Sequence, residues 1–540
     1  MMNMLKDTIM TRIFKPLLFL FFASFTFVAC EKDLDLQPED QRETSASVFE
    51  DPASYKQFLA KMYAGLSLSG QQGPAGLADL QGLDEGFSSY LRLYFMMQEL
   101  TTDEAVIGWN DGTIADLHEQ SWTSGNEFIR TMYSRIMYQV ALNNEFLRQT
   151  EAGVLDSRGV SGELRTQIEG YRSEARFLRA LSYYHALDLF GNPPFVTEED
   201  PIGAFLPEQI QRAELFNFIE SELLAIETEI AAARQNEYGR ADQGAVWMLL
   251  SKLYLNAEEY TGTSRYDDVI TYTNKVIGAG YTLADDYQKL FLADNNSNGA
   301  QNEIIFPITF DGLHTQNYGG MTFIIHASIG GSMDPNVFGV TSGWAGLRTT
   351  PEFVELFPGE AESEDGREMF YTDGQTKEIG SISNFNHGYT VTKYKNVDVN
   401  GNWGSDTSGE FPDTDFPMFR LADAYLMYAE AVLRGGNGDK AAAVRYINAL
   451  RERAYGDNSA NINATQLTLD FIIDERGREL YWEAHRRTDL IRFNQFTENG
   501  TWAWKGGVPQ GATTQAYRNL MPIPASDLGV NTNLTQNTGY

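Results

Sequence analysis

The 540-residue sequence predicts a mainly α-helical protein, with helix pairs of the TPR kind as scaffold and an irregular loop-rich region mounted on them. Three observations predict this. Apolar residues recur at helical spacing over most of the chain. The clearest such run, 168–190, stops at Gly191 and Pro193-Pro194, the order of residues that ends helices. Between Tyr281 and Thr414 the texture changes to Gly, Asn, Asp and Ser with short apolar runs, which is the composition of turns and extended segments. No clean 34-residue signature accompanies the helix pairs, so the repeat is one of architecture.

The chain opens on an export signal. Lys6, Arg12 and Lys15 supply positive charge, and Leu17–Val28 supplies an apolar run of about a dozen residues, too short to span a bilayer. It ends in Phe27-Val28-Ala29-Cys30, and Cys30 is the sole cysteine, so no internal disulfide can form. The position resembles a bacterial lipobox, with Phe27 where leucine is commoner. Residues 1–29 are therefore read as a lipoprotein signal peptide and Cys30 as the lipidated residue, anchoring a soluble body without a spanning helix. The other reading is ordinary cleavage that leaves a bystander thiol. Glu31-Lys-Asp-Leu-Asp35 resembles the charged tract of surface lipoproteins of the Bacteroidetes type.

Along the mature chain, 48–66 has helical spacing until Gly70–Gly76 breaks it. Arg92–Gly112 follows: an apolar stretch, an acidic turn at Thr101-Thr-Asp-Glu104, then Trp109 between Gly108 and Asn110-Asp-Gly112. Asn, Asp and Gly favour turns, which places Trp109 on a loop. Residue type alone favours a tryptophan tucked into the core; the loop setting favours a flat apolar face offered to a sugar ring or a partner. Helix resumes over 127–150, with Ile129, Met132, Ile136, Val140 and Phe146 on one side, and over 168–190, whose apolar residues cover more than one face and predict burial between neighbours. Arg172, Arg176 and Arg179 form a stripe directed at acidic residues of adjacent helices. Further helices are predicted at 207–235, 241–259, 266–279, 419–434, 440–453 and 467–493. Glu303–Ile308 and Phe323–Ile325 read as strands or extended segments. The whole divides into an N-terminal region, 30–235, and a C-terminal region, 236–540, within one body.

Composition excludes several functions. A formal charge of −33 argues against nucleic acid and against anionic lipid, both of which need basic surface. There is no phosphate-binding glycine loop, nucleophile elbow or H-E-x-x-H zinc motif. His185 and His326 lie in apolar runs and read as packed histidines. With 74 acidic residues, a carboxylate pair for glycoside hydrolysis does not stand out from background, so an enzyme is unsupported. Asp294–Asn298 and Pro412–Asp415 are oxygen-rich, the ligand type calcium takes, though each alone reads as a solvated turn.

Several runs then point to one family. Ser173–Pro194 resembles the signature helix of the SusD/RagB lipoproteins. Gly239-Arg-Ala-Asp242 with Leu253–Ala257, Phe419–Ala431, Ile447–Arg453, Asp474–Leu480 with Arg487–Arg492, Pro522-Ile-Pro524 and Gln536–Tyr540 also fit, and together they cover the mature chain nearly end to end. The resemblance implies a SusD-like fold of TPR-like helix pairs with its ligand site on irregular loops. It implies a lipid-anchored protein on the outside of the outer membrane, without catalytic activity, that binds glycans and hands them to a TonB-dependent transporter of the SusC type.

Glu85-Gly86, Glu99–Glu104, Asn317-Tyr-Gly-Gly320, Thr341-Ser-Gly-Trp344 and Trp502–Gly507 are similar to segments of the family's starch-binding member. That likeness implies an α-glucan ligand held by Arg92, Trp109, Tyr318 and Trp344. It departs at Ile107, where a second tryptophan is expected, and at Gly112, where an asparagine is expected; Asn110 or Asp111 would then supply the polar contact. These departures leave a different glucan, such as laminarin, as the alternative ligand. The same likeness implies calcium ligands at Asn296, Asp413 and Asp415, one of them an amide in place of a carboxylate.

Overall fold

Capping side chains set several helix boundaries in the computed structural model, which describes residues 48–358 and 364–540. The signal peptide read over residues 1–29 and the lipid site at Cys30 lie outside the described residues. The main helices are α1 (Ala53–Ser67), α2 (Tyr90–Gln98), α3 (Glu127–Gln149), α4 (Gly162–Phe190), α5 (Arg212–Ile226), α6 (Gln243–Leu255), α7 (Tyr266–Gly278), α8 (Gly320–Ala327), α9 (Leu421–Leu433), α10 (Lys440–Tyr455), α11 (Leu469–Leu480) and α12 (Arg486–Arg492). Asn126 accepts from the N–H groups of Phe128 and Ile129 at the start of α3, Asp242 does the same for Gly244 and Ala245 at α6, and Thr468 for Phe471 at α11. Each cap satisfies donors that have no partner within the helix. α4 stops where Gly191 takes a φ of 71°, which a side chain disfavours.

Helices adjacent in sequence pack as pairs: α3 on α4, α4 on α5, α6 on α7 and α9 on α10, while α7 also lies against α9. Residues Tyr55–Tyr540 form one compact unit. The predicted apolar side of α3 is buried, and from Ser173 onward α4 is buried almost all round. The arginine stripe is structural. Arg176 and Arg179 pair with Glu222 of α5 at 2.9 and 2.7 Å, Arg179 also reaches Glu198, and Arg172 donates to Leu147 O and Thr150 Oγ1 at the end of α3.

Among the described residues the strands make three antiparallel pairs: β1 (Val106–Ile107) with β3 (Leu347–Arg348), β2 (Ile304–Ile308) with β6 (Phe416–Arg420), and β4 (Phe370–Tyr371) with β5 (Thr390–Val391). The strand expected at 303–308 is β2. Phe323–Ile325 instead lies within α8, all eight residues of which are buried; a helix buried all round has no amphipathic period to reveal it. The helix expected over 207–235 is shorter, because Gln209 bridges Pro194 and Ile210 N–H donates to Pro193 O before α5 begins. The helix expected over 467–493 is two, broken where Trp482 and Ala484 take φ of 59° and 65°. Buried acids hold this strained bend: Glu104 Oε2 accepts from Trp482 N–H at 2.8 Å, and Glu99 Oε1 from His485 N–H at 3.0 Å.

A buried ionic cluster ties α10 and α11 to β2 and β6. Arg420 donates to Glu483 at 2.6 Å, to Glu479 at 2.6 Å and to Glu303 at 2.9 Å. Arg453 reaches Glu303 and Glu479, Arg367 reaches Asp365, Glu475 and Glu479, and Lys393 reaches Glu483. Such a cluster makes the fold intolerant of losing one partner. Arg420→Met takes one buried partner from each of Glu303, Glu479 and Glu483, which keep Arg453, Arg367 or Lys393, and is expected to cost about 3 kcal/mol, read as a lower denaturant midpoint. Burial pushes the Glu475 carboxyl up, but Arg367, Arg478 and Arg451 outweigh it and hold it at about 2. Glu479 is held down likewise by Arg453, Arg420 and Arg367 against its burial. Folded values below the unfolded one give stability that is complete above about pH 4.5 and lost as pH falls towards 2. The melting temperature is expected to drop across that window.

Candidate functional site

The β1–β3 pair joins two loops that lie far apart in the chain. Val106 pairs with Arg348 and Ile107 with Leu347, and Gly108 N–H continues the ladder to Gly346 O. Trp109 leaves β1 just as Trp344 approaches β3, so two tryptophans 235 residues apart become neighbours, and Trp109 Nε1 donates to Trp344 O at 3.1 Å. Their ring centroids are 6.4 Å apart with planes inclined by 45°. Gly346 permits this approach: a Cβ there would stand 2.5 Å from the Trp109 indole.

α8 holds the rest. Tyr318 precedes its N-terminus, and its ring lies 6.5 Å from Trp344 at 50°. The Tyr318 backbone is clamped from below: its N–H donates to Glu85 Oε2 at 3.2 Å, and Glu85 Oε1 accepts from Ser69. Gly86 lies so close that a Cβ would meet Tyr318 O at 2.7 Å. Beyond the C-terminal end of α8, Trp344, Ala345 and Gly346 donate their N–H groups to His326 O, Ile329 O and Ala327 O. Phe323, mid-helix, meets Trp109 edge-on at 5.9 Å.

These elements enclose an open groove of about 380 Å³ lined by Phe87, Arg92, Trp109, Asp111, Tyr318 and Trp344. Arg92, on α2, is its buried floor, 4% exposed. Its guanidinium lies 4.0 Å from the Phe323 ring and 4.2 Å from that of Phe87. Nη1 has a long 3.5 Å contact to Tyr318 O, while Nε and Nη2 make no hydrogen bond. Burial lowers its pKa to about 9, against which Asp84, Asp111 and Glu85 pull upward. The groove thus offers four aromatic side chains, one cation and one carboxylate.

Four of the sequence-derived residues, Arg92, Trp109, Tyr318 and Trp344, meet in this groove. Asn110 does not; it is exposed, and Asp111 takes the lining position. Ile107 is fully buried in β1 and presents nothing to the groove. At Gly112 (φ 49°) a Cβ would stand 1.6 Å from Glu127 Oε1, which accepts from Thr113 N–H, so a carboxylate fills the space beside the position where asparagine was expected. Phe87 was not anticipated. It sits on a single turn, Gly86–Ser88, edge-on to Phe128, and no local pattern marks it.

Asn296, Asp413 and Asp415, the residues expected to hold calcium, lie on two loops that meet. Asn296 is exposed, and the neighbouring Asn295 is the amide that joins the two loops, donating to Asp415 O and accepting from Asp415 N–H. Asp413 already accepts from Gly312 N–H, Ser405 N–H and Ser405 Oγ, and Asp415 from Phe310 N–H. Among the described residues no group of three or more His, Cys, Asp or Glu is placed to ligate a metal. Asp415 Oδ2, by contrast, is buried without a hydrogen-bond partner, an oxygen of the type calcium takes.

The SusD family's sequence profile matches residues 360–540. The starch-binding protein SusD of Bacteroides thetaiotaomicron is 36% identical over 558 aligned residues, spanning 95% of this chain and 96% of that protein. SusD-like protein P25 of Formosa agariphila is 26% identical, over 75% of this chain and 78% of its own. Among solved structures, a SusD superfamily protein from Parabacteroides distasonis superposes with a TM-score of 0.69 at 22% identity, covering 92% of this chain and 100% of that one. Surface glycan-binding protein A of Bacteroides thetaiotaomicron, in complex with laminarihexaose, gives 0.67 at 19% identity, covering 90% and 99%. The mainly helical fold is therefore shared with SusD superfamily structures, and by its likeness over nearly its whole length the chain belongs to the SusD family.

Proposed function

We propose that this protein is a cell-surface glycan-binding lipoprotein, anchored in the outer membrane through Cys30, that captures starch or a related α-glucan and delivers it to a SusC-like TonB-dependent transporter. One observation carries the reading: Trp109, Trp344 and Tyr318 stand in a row, 6.4 and 6.5 Å apart, with successive planes inclined by 45° and 50°. Inclined faces suit the curved apolar surface of a helical glucan, whereas a flat ribbon suits coplanar rings. The indole N–H of Trp109 is spent on Trp344 O, which leaves its face for the sugar. Arg92 supplies donors for hydroxyl oxygens. The 36% identity to a starch-binding protein supports the same ligand class.

A second reading is a different glucan such as laminarin. The buried Ile107 and the carboxylate of Glu127 beside Gly112 favour it, since they alter the stacking surface and the polar contact. A glycoside hydrolase has less support: the groove lining carries one carboxylate, Asp111, where hydrolysis uses a pair.

Few charged contacts are available, so affinity depends on shape and stacking. Calorimetry against maltoheptaose, amylopectin, laminarin and xylan is expected to show binding of the first two. Trp109→Ala and Trp344→Ala are each expected to lose about 2 kcal/mol, roughly thirtyfold in Kd. α-Glucan binding that survives the double variant, or its absence from the wild type, would overturn the reading. Gly346→Ala pushes on the indole of Trp109 and is expected to weaken binding roughly tenfold. Incubation with starch is expected to release no reducing ends.

A further inference from the structure

His326 faces two backbone carbonyls at once. Nδ1 lies 2.8 Å from Ser342 O and Nε2 lies 3.0 Å from Glu410 O. A neutral imidazole has one N–H and can donate to only one of them, leaving a bare nitrogen against the other oxygen; the imidazolium donates to both. The ring is 1% exposed and stacks on Trp344, centroids 4.8 Å apart and planes 24° apart. Both carbonyls belong to segments behind the groove. Ser342 is in the loop that carries Trp344, and Glu410 precedes Phe411, on which the Tyr318 ring packs at 5.5 Å.

We propose that His326 is the positioning residue of the aromatic platform: its ring sets the angle of Trp344, and its protonation fastens the Ser342 and Glu410 segments to α8, so that glycan affinity rises as pH falls. The binding part of this inference rests on the glycan reading above; the latch itself does not.

The surroundings permit the switch. His326 is the only titratable side chain of α8, and the loop 341–346 has none. From the third segment the Glu410 carboxylate acts on the ring, while Asp406 is bound to the amides of Ser408, Glu410 and Phe411. On α2, which packs against α8, Arg92 lies over Phe323, and Arg348 of β3 is turned to the carbonyls of Ile382, Asn384 and His387. The Tyr318 phenol lies beside Glu410. Burial holds the His326 ring below its ordinary value, against the pull of the two carbonyls and the Glu410 carboxylate. Titration is therefore placed below about pH 6.5. The C-terminal end of a helix also favours a cation.

Two variants and two readouts test this. Calorimetry of the full-length mature chain with maltoheptaose is expected to give about fivefold tighter binding at pH 5 than at pH 8, the worth of one hydrogen bond. His326→Gln, which cannot titrate, and His326→Phe, which keeps the stacking, are expected to bind with an affinity that does not change with pH. In ligand-free protein, tryptophan fluorescence is expected to be quenched as the ring protonates against Trp344, and the transition is expected to vanish in Trp344→Phe and in His326→Gln. Equal wild-type affinity at the two pH values, or a fluorescence transition that persists in Trp344→Phe, would overturn the proposal. If no glucan binds at either pH, the glycan reading fails and the fluorescence titration alone decides the latch.

Discussion

The groove depends on the hydrogen-bonding capacity of the two ends of α8. A helix leaves carbonyls without partners at its C-terminus, and here His326 O and Ala327 O, with Ile329 O just beyond, receive the N–H groups of Trp344, Ala345 and Gly346. At the other end Tyr318 enters the helix with its N–H held by Glu85. Eight buried residues thus fix the separation of two aromatic rings that a flexible loop would leave free, and Phe323 between them supports both Trp109 and Arg92. Binding surfaces ordered in advance lose less entropy when a ligand arrives.

The charge distribution sorts into two roles. Much of the basic complement is spent inside, in the Arg420, Arg367 and Arg453 cluster and in the Arg176 and Arg179 pairs with Glu222. Arg92 is used differently: it is buried against rings with no ion pair to a described residue, and Asp84, Asp111 and Glu85 pull its pKa upward against burial. A floor of one isolated guanidinium under apolar walls suits a neutral ligand rich in hydroxyls. A net charge of −33 repels anionic polymers from the same surface.

Some of the architecture was legible because it is written in local chemistry. The Gly191–Pro194 stop and the one-sided apolar stripe of α3 act over a few residues, where turn residues and periodicity can be read directly. The arginine stripe of α4 was legible for a similar reason, since charge at helical spacing on a buried helix needs partners. What failed was non-local. α8 has no polar face and so no period, and the bend at Trp482–Ala484 exists because Glu99 and Glu104 reach it from the far side of the chain.

By itself the sequence determined the helical scaffold, the family, and the identities of Arg92, Trp109, Tyr318 and Trp344 as candidates. Only the tertiary structure decided that these four share one groove, because the β1–β3 pairing that joins their loops spans more than two hundred residues and leaves just two paired positions per strand. It also decided what stands around them. Phe87 lines the groove from a single helical turn, Asp111 replaces Asn110 at the rim, Glu127 occupies the space beside Gly112, and His326 stacks behind Trp344. Contacts of that kind are set by how buried segments meet, and no periodicity along the chain encodes them.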